Sequence, residues 1–239
     1  MIFLSAEEKA RYPQAETLIE KFDLNIADDR EQRMRMAFRV KLTEGVMDDF
    51  DSYRDSLQFV LTRGDVSPAI KTSLEICQIA HDARQALTAG KGEAFLHAYD
   101  TLLEYVLPPP SVSMESTVNC ATAGILAKKI PKMKNTGDHY YSPLQAAAQE
   151  HLADRYERNM ATIADRDAYH AYIFLNESYR VDALTEASDI YKAFEIKDKA
   201  RSTLQKAWYV ATESTIPAKD KTIQEIVLKG KKLDLKLKV

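Results

Sequence analysis

Across residues 67–106 the hydrophobic positions recur every three or four residues, and the punctuation around them is complete. Ser67-Pro68 offers an N-cap with proline at the first helical position, where the missing N–H costs nothing. Apolar residues follow at Ile70, Leu74 and Cys77, with a second stripe at Ile76, Ile79/Ala80, Ala83 and Leu87. Two stripes are more than one buried face requires, so the spacing predicts a central helix with neighbours on both sides. Gly90-Lys91-Gly92 supplies a tight turn. A second helix carries Phe95, Ala98/Tyr99, Leu102/Leu103 and Val106 until Pro108-Pro109-Pro110 ends it.

The same periodicity runs through most of the chain. Ser5-Ala6-Glu7-Glu8 has capping-box spacing and opens a short helix that Pro13 interrupts. Residues 15–22 continue helically through Leu18, Ile19 and Phe22. A third helix is expected to start at residues 25–29, with acids at the positive end of its dipole. It should run to about Glu44 and end at Gly45. Residues 46–63 follow, with Phe50, Tyr53, Leu57 and Val60/Leu61 at helical spacing, closed by Gly64. Three helices ending at Gly45, Gly64 and Gly90, joined by short connections, predict a stack of antiparallel helical hairpins. Beyond the prolines a helix is expected to Ile130, then an exposed lysine-rich loop over residues 128–137. Ser142-Pro143 repeats the start signal of Ser67-Pro68 and precedes an i+4 stripe of Leu144, Ala148, Leu152, Tyr156 and Met160. Asp165 or Asp167 should cap a helix through about Tyr179. Residues 188–212 should form one or two more, with Ala200, Leu204, Ala207/Trp208 and Ala211 inside.

The last residues change period. Thr222-Ile223-Gln224-Glu225 reads as the box of a short helix ended by Gly230. Residues 232–239 then alternate strictly, placing Leu233, Leu235, Leu237 and Val239 on one face, which is strand periodicity. Residues 1–4, residues 222–229 or another chain are the candidate strand partners. The expected fold class is all-α, a multi-helix bundle of antiparallel helical hairpins with a small β element at the C-terminus, ~60–70% helical. Residues 1–216 are expected to form the helical domain, with a sub-boundary at 108–112, and residues 217–239 a basic tail.

Composition narrows the class. With 239 residues and 45% hydrophobic side chains the chain can bury a sizeable core. Seven glycines and eight prolines are too few for an all-β fold with many tight turns. The two cysteines, Cys77 and Cys120, match no disulfide framework or zinc site. Neither a signal-peptide core nor a run of ~20 apolar residues is present, so a soluble, cytoplasmic protein away from membranes is expected. The net charge of −3 hides an asymmetry: of 33 Lys and Arg and 36 Asp and Glu, 12 and 6 fall in residues 190–239. The basic end is therefore +6 and the body −9. Such an end can bind nucleic acid or dock on an acidic partner, including another copy of the chain.

Chemistry-bearing patterns are sparse. His81-Asp82 resembles the ligand pair of HD-type phosphohydrolases, but that family needs a histidine upstream and none precedes His81. The plainer expectation is a hydrogen-bonded ring at the edge of a core stripe. Asp48, Asp49, Asp51 and Asp55 lack the spacing of an aspartate-rich Mg²⁺ motif and suit the first turn of a helix. Residues 138–172 hold three of the five histidines and five of the twelve tyrosines. His151 with Asp154, and Asp167 with His170, share helix faces at i,i+3. With His139 and Tyr140 they form the candidate small-molecule or metal site, although the further carboxylates of a di-metal bundle cannot be identified. No nucleophile elbow, P-loop or dinucleotide fingerprint is present.

These readings rank three functions. The first is a non-enzymatic protein–protein interaction or adaptor protein, self-associating as a homo-oligomer, with no cofactor. The second is a nucleic-acid-binding protein using Lys128, Lys129, Lys132 and Lys134 of the basic loop and Lys231, Lys232, Lys236 and Lys238 of the tail. The third is a metal-dependent hydrolase with its site in residues 138–172.

Overall fold

The computed structural model describes residues 4–23, 29–108, 114–214, 216 and 219–237. Among these residues 77% are helical, in eleven α-helices, and no strand is present. The chain divides into two compact units, one of residues Met1–Ala86 and His97–Ala127, the other of Leu87–Leu96 and Lys128–Val239.

The first unit is built on α1 (Ala6–Arg11), α2 (Ala15–Phe22), α3 (Asp29–Asp48), α4 (Phe50–Thr62) and most of α5 (Pro68–Thr88), α6 (Gly92–Glu104) and α7 (Met114–Lys129). The Ser5 capping box forms as its spacing predicts: Ser5 Oγ accepts from the Glu8 amide, and the Glu8 carboxylate accepts from the Ser5 amide. Both stripes of α5 are buried, with Leu74, Ile76, Cys77, Ala80 and Ala83 fully sealed, which makes it the central helix. Gly90 turns the chain out of α5 at φ +68°, a conformation that glycine adopts without steric cost. On α6, Phe95, Tyr99, Leu102 and Leu103 are buried.

Gly45 does not end its helix. It lies inside α3, which runs on to Asp48, and the break falls at Asp49. There the Ser52 hydroxyl bonds to the Asp49 carboxylate at 2.7 Å. A single glycine lowers helix propensity by only about 1 kcal/mol, and burial of Val46, Met47 and Phe50 outweighs that. The expected helix start at residues 25–28, the strand partner at residues 1–3, and residues 109–113 and 238–239 lie outside the described residues.

One buried charge organises the interior of this unit. Arg39 of α3 is only 6% exposed. Its Nη2 donates to the Phe22 carbonyl at 2.8 Å, a group that the end of α2 leaves without a helical partner. Its Nη1 donates to Ser73 Oγ and, at 3.2 Å, to Asn119 Oδ1. The guanidinium stands 5.2 Å from the Phe22 ring centroid. Burial pushes its pKa down to about 10, against the pull of Asp23, so it stays charged at neutral pH.

The second unit contains the tip of the α5–α6 hairpin, a 3-10 turn (Ile130–Lys132), α8 (Leu144–Ala161), α9 (His170–Ala193), α10 (Lys197–Glu213) and α11 (Lys219–Lys231). Here α9 packs between α8 and α10, and α11 packs on α10. The stripe from Ala148 to Met160 is buried as its spacing predicts. α9 does not stop near Tyr179; Val181, Ala183, Leu184, Ala187 and Ile190 carry its buried face on to Ala193. Its true end is a six-residue hydrogen-bonded cap: the Ile196 amide reaches the Tyr191 carbonyl at 2.9 Å and the Glu195 amide reaches Lys192 at 3.0 Å. The left-handed position, φ +60°, is held by Glu195 where glycine is usual, so the sequence carried no stop signal. The lysine-rich segment is not a free loop either. Ile130 and Pro131 are buried, and the Gln145 amide of α8 ties their turn by donating to the Pro131 and Met133 carbonyls at 3.2 and 2.6 Å.

The expected C-terminal strand is absent from the described residues. α11 ends in the same kind of cap, with the Leu235 amide on the Gly230 carbonyl at 2.9 Å and Asp234 at φ +58°. The alternation is met by folding the tail back on its own helix. Leu233 is buried, and Leu237 and Leu235 lie against Gly230, where a Cβ would stand 3.0 and 3.5 Å from them. Arg201 of α10 pins the turn by donating to the Leu233 carbonyl at 2.7 Å. A period of two buries alternate residues whenever an extended segment crosses an apolar surface, with or without a ladder partner.

Gln149 of α8 is fully buried, and neither its amide nitrogen nor its oxygen finds a hydrogen-bond partner among the described residues. Gln149→Met keeps the volume and removes two desolvated polar atoms. It should stabilise the second unit by about 1–2 kcal/mol in a urea melt. A loss of stability would show that the amide is satisfied in solution.

Candidate functional site

The acidic and basic residues of the second unit meet at a cleft of about 260 Å³. α9 contributes Val181, Asp182, Thr185 and Glu186, whose spacing places them along one side of the helix. α11 contributes Thr222, Glu225, Ile226 and Lys229 at the same period, and the 3-10 turn contributes Lys132. Val181 and Ile226 are buried, so an apolar floor lies under a polar rim.

The rim is only partly neutralised. Lys229 Nζ bonds to Asp189 Oδ2 at 2.5 Å, and the Tyr140 hydroxyl donates to the Glu186 carboxylate. Burial and the neighbouring Glu186 together raise the Tyr140 phenol well above its ordinary range. Among the described residues the one ion-pair partner of Glu225 is Lys221, 4.0 Å away. Asp182 and Lys132 make no hydrogen bond or ion pair among the described residues. Burial raises the Asp182 carboxyl, and Lys132 and Lys128 pull it back without cancelling the shift. Beside the cleft, Lys128 Nζ sits 3.1 Å from the Tyr179 ring centroid and Lys134 Nζ 5.0 Å from that of Tyr140.

The residues singled out in the sequence separate into two groups. Lys132 lines this cleft, and Tyr140, with Lys134 over its ring, reaches the cleft's Glu186; Lys128 is half-buried against Tyr179, Lys129, Lys231, Lys232 and Lys236 are exposed, and Lys238 lies outside the described residues. The histidine and aspartate candidates do not converge. His139, Asp154, Asp167 and His170 are exposed, and His151 is half-buried on α8. His170 Nδ1 stands 2.9 Å from the backbone oxygen of Asp167, not from its carboxylate. Among the described residues no group of three or more His, Cys, Asp or Glu is placed to hold a metal ion.

His81 is a buried core residue, its Nδ1 3.3 Å from the Met47 carbonyl and its ring stacked on Phe50 at 3.8 Å. Desolvation lowers its pKa, so it sits in the core uncharged. The acids around Asp48 are structural: Asp48 pairs with Arg84 and Asp51 with Arg54, each at 2.5 Å. Cys77 is sealed in the first unit, and burial pushes its thiol up to about 12. No thiolate nucleophile is available there at neutral pH.

Comparison of the chain with protein-family models, with curated proteins and with solved structures finds no match. The site therefore rests on its own geometry. No helix among the described residues is long and apolar enough to cross a membrane.

The acids of α9 at and beside the cleft are ones that sequence reading passed over. Asp182, Glu186 and Asp189 repeat at i, i+4 and i+7, as do Thr222, Glu225 or Ile226, and Lys229. That matched spacing was the available signal. It was hidden because α9 was expected to stop before Asp182.

Proposed function

We propose that this chain is a non-enzymatic interaction protein, and that the cleft of its second unit receives a charged segment of a protein partner, the first such partner being a second copy of the chain. One observation carries the reading: Asp182 and Lys132 face a cleft without an ion pair or hydrogen bond of their own among the described residues, and Glu225 beside them is held only at 4.0 Å. Charges that line a cleft without a direct bond gain most from a partner that covers them and supplies the counter-charge. The chain offers such a segment, because Lys231, Lys232 and Lys236 are exposed on an end of net +6 against a body of −9. Lys132 of the 3-10 turn lines the cleft together with the α9 carboxylates Asp182 and Glu186 instead of extending a basic stripe, an arrangement that favours a protein partner over nucleic acid.

Charge reversal tests this reading. D182K/E225K and K231E/K232E change exposed groups and should leave the thermal midpoint within about 1–2 °C of wild type. Each variant alone should be monomeric at low salt, while the mixture of the two should recover a dimer. Self-association unaffected by either reversal, or no dimer in the mixture, would refute the cleft as the docking site.

A further inference from the structure

The basic tail follows directly on α11, the helix that lines the chain's own cleft. Lys236 lies four residues beyond Lys232, and an extended stretch of that length spans ~13 Å. Glu225 of the cleft stands seven residues before Lys232, ~10 Å back along the helix. A loose tail therefore reaches the carboxylates of its own cleft. So short a tether holds its end at an effective concentration on the order of millimolar, above the tens of micromolar at which copies meet. Left free, the tail would fill its own cleft ahead of any partner's.

The tail is not free. Arg201 of α10 holds it at two adjoining points: Nε donates to the Leu233 carbonyl at 2.7 Å, and Nη2 stands 3.5 Å from Asp234 Oδ2. The same guanidinium is 3.8 Å from Asp198, one turn earlier on α10. Beyond the left-handed position at Asp234, Leu237 and Leu235 lie against Gly230, and Leu233 is buried. All of these contacts are with α10 and the last turn of α11. The cleft is lined instead by α9, the 3-10 turn and the Thr222–Lys229 line of α11, and no residue after Lys229 takes part in it. We propose that Arg201 is the latch of self-association: it keeps the basic tail off the chain's own cleft, so that the cleft stays open to a second copy. This rests on the docking reading and adds its regulation, because opening the latch turns a self-associating chain into a self-occluded monomer. Arg201 lines no part of the cleft and acts through the tail that it positions. The latch is built to open: Arg201 and Asp234 are 37% and 90% exposed, and an ion pair so placed is weak in water. The buried Leu233 and the bond to its carbonyl hold the rest.

The test is carbodiimide coupling at low salt in an equal mixture of unlabelled and isotope-labelled full chains. Links from Lys236 to Asp182 and Glu225 are mapped by peptide mass spectrometry. Docking between copies makes about half of these links join a labelled to an unlabelled chain, whereas docking within a chain makes none. The unmodified chain should give the mixed links. In Arg201→Gln the links should move inside one chain, with the mixed share falling about fivefold or more and the mass in solution dropping from two chains to one. Leu233→Ala frees the same turn and leaves every charge in place, and it should do the same. An unchanged mixed share in Arg201→Gln would overturn the latch and leave the docking reading standing. A shift in Arg201→Gln without one in Leu233→Ala would trace the effect to lost charge, and would also overturn the latch. No mixed links in the unmodified chain would refute the docking reading itself, and the latch with it.

Discussion

Leu74→Asp should cost the first unit at least ~5 kcal/mol and leave it largely unfolded at 25 °C. Leu74 is fully buried in α5, on the same buried stripe as Ile70 and Cys77. Removing its side chain alone accounts for about 2–5 kcal/mol, from lost transfer energy and the cavity left behind. The aspartate then adds a carboxylate at a fully buried position, which must either stay protonated or bring water in. Whole domains are stable by only ~5–15 kcal/mol, so the sum is comparable with everything the unit has. Far-UV circular dichroism and a urea melt read the result, with Leu74→Met as the volume control expected to cost less than about 1.5 kcal/mol. A midpoint unmoved by the aspartate would mean that α5 is not the central helix.

Arg39→Ala should destabilise the first unit by about 3 kcal/mol. The substitution removes the donor that satisfies the Phe22 carbonyl at the end of α2, the contact with Asn119, and a guanidinium packed over the Phe22 ring. Arg39 Nε has no partner among the described residues, so the residue also carries an uncompensated desolvation cost. Arg39→Met separates the two contributions. It refills the volume and discards the buried charge, leaving the Phe22 carbonyl as the main unpaired group, and should recover at least half of the loss. A methionine variant as unstable as the alanine one would place the whole effect in hydrogen bonding and not in packing.

How much of this was legible in the sequence depended on punctuation. The α5–α6 hairpin was readable because Ser67-Pro68, Gly90 and the prolines after Leu107 mark every boundary, and Gly90 does take positive φ. The end of α9 was not, because Glu195 occupies a left-handed cap without the residue type that announces one. Gly45 was misleading in the opposite sense, a breaker carried through by burial on either side. The tail pattern was read correctly as a period and wrongly as a strand: alternation reports which residues are covered, and here Leu233 is buried while Leu235 and Leu237 lie against Gly230 of their own helix. At the site the lysines stood out as charge. Their counterparts on α9 lie some fifty positions further along, and only the folded unit brings Asp182, Glu186 and Lys229 into one cleft with Lys132.

The measurement that tests the central claim most directly is light scattering of the unmodified chain at tens of micromolar across a salt series. Docking of an exposed basic end into a half-neutralised acidic cleft should give twice the mass of one 27.1 kDa chain at low salt. It should revert to a monomer as the screening length falls from ~30 Å at 0.01 M to ~3 Å at 1 M. A chain that scatters as a monomer at the lowest salt, or as a dimer of constant mass at the highest, would contradict the account.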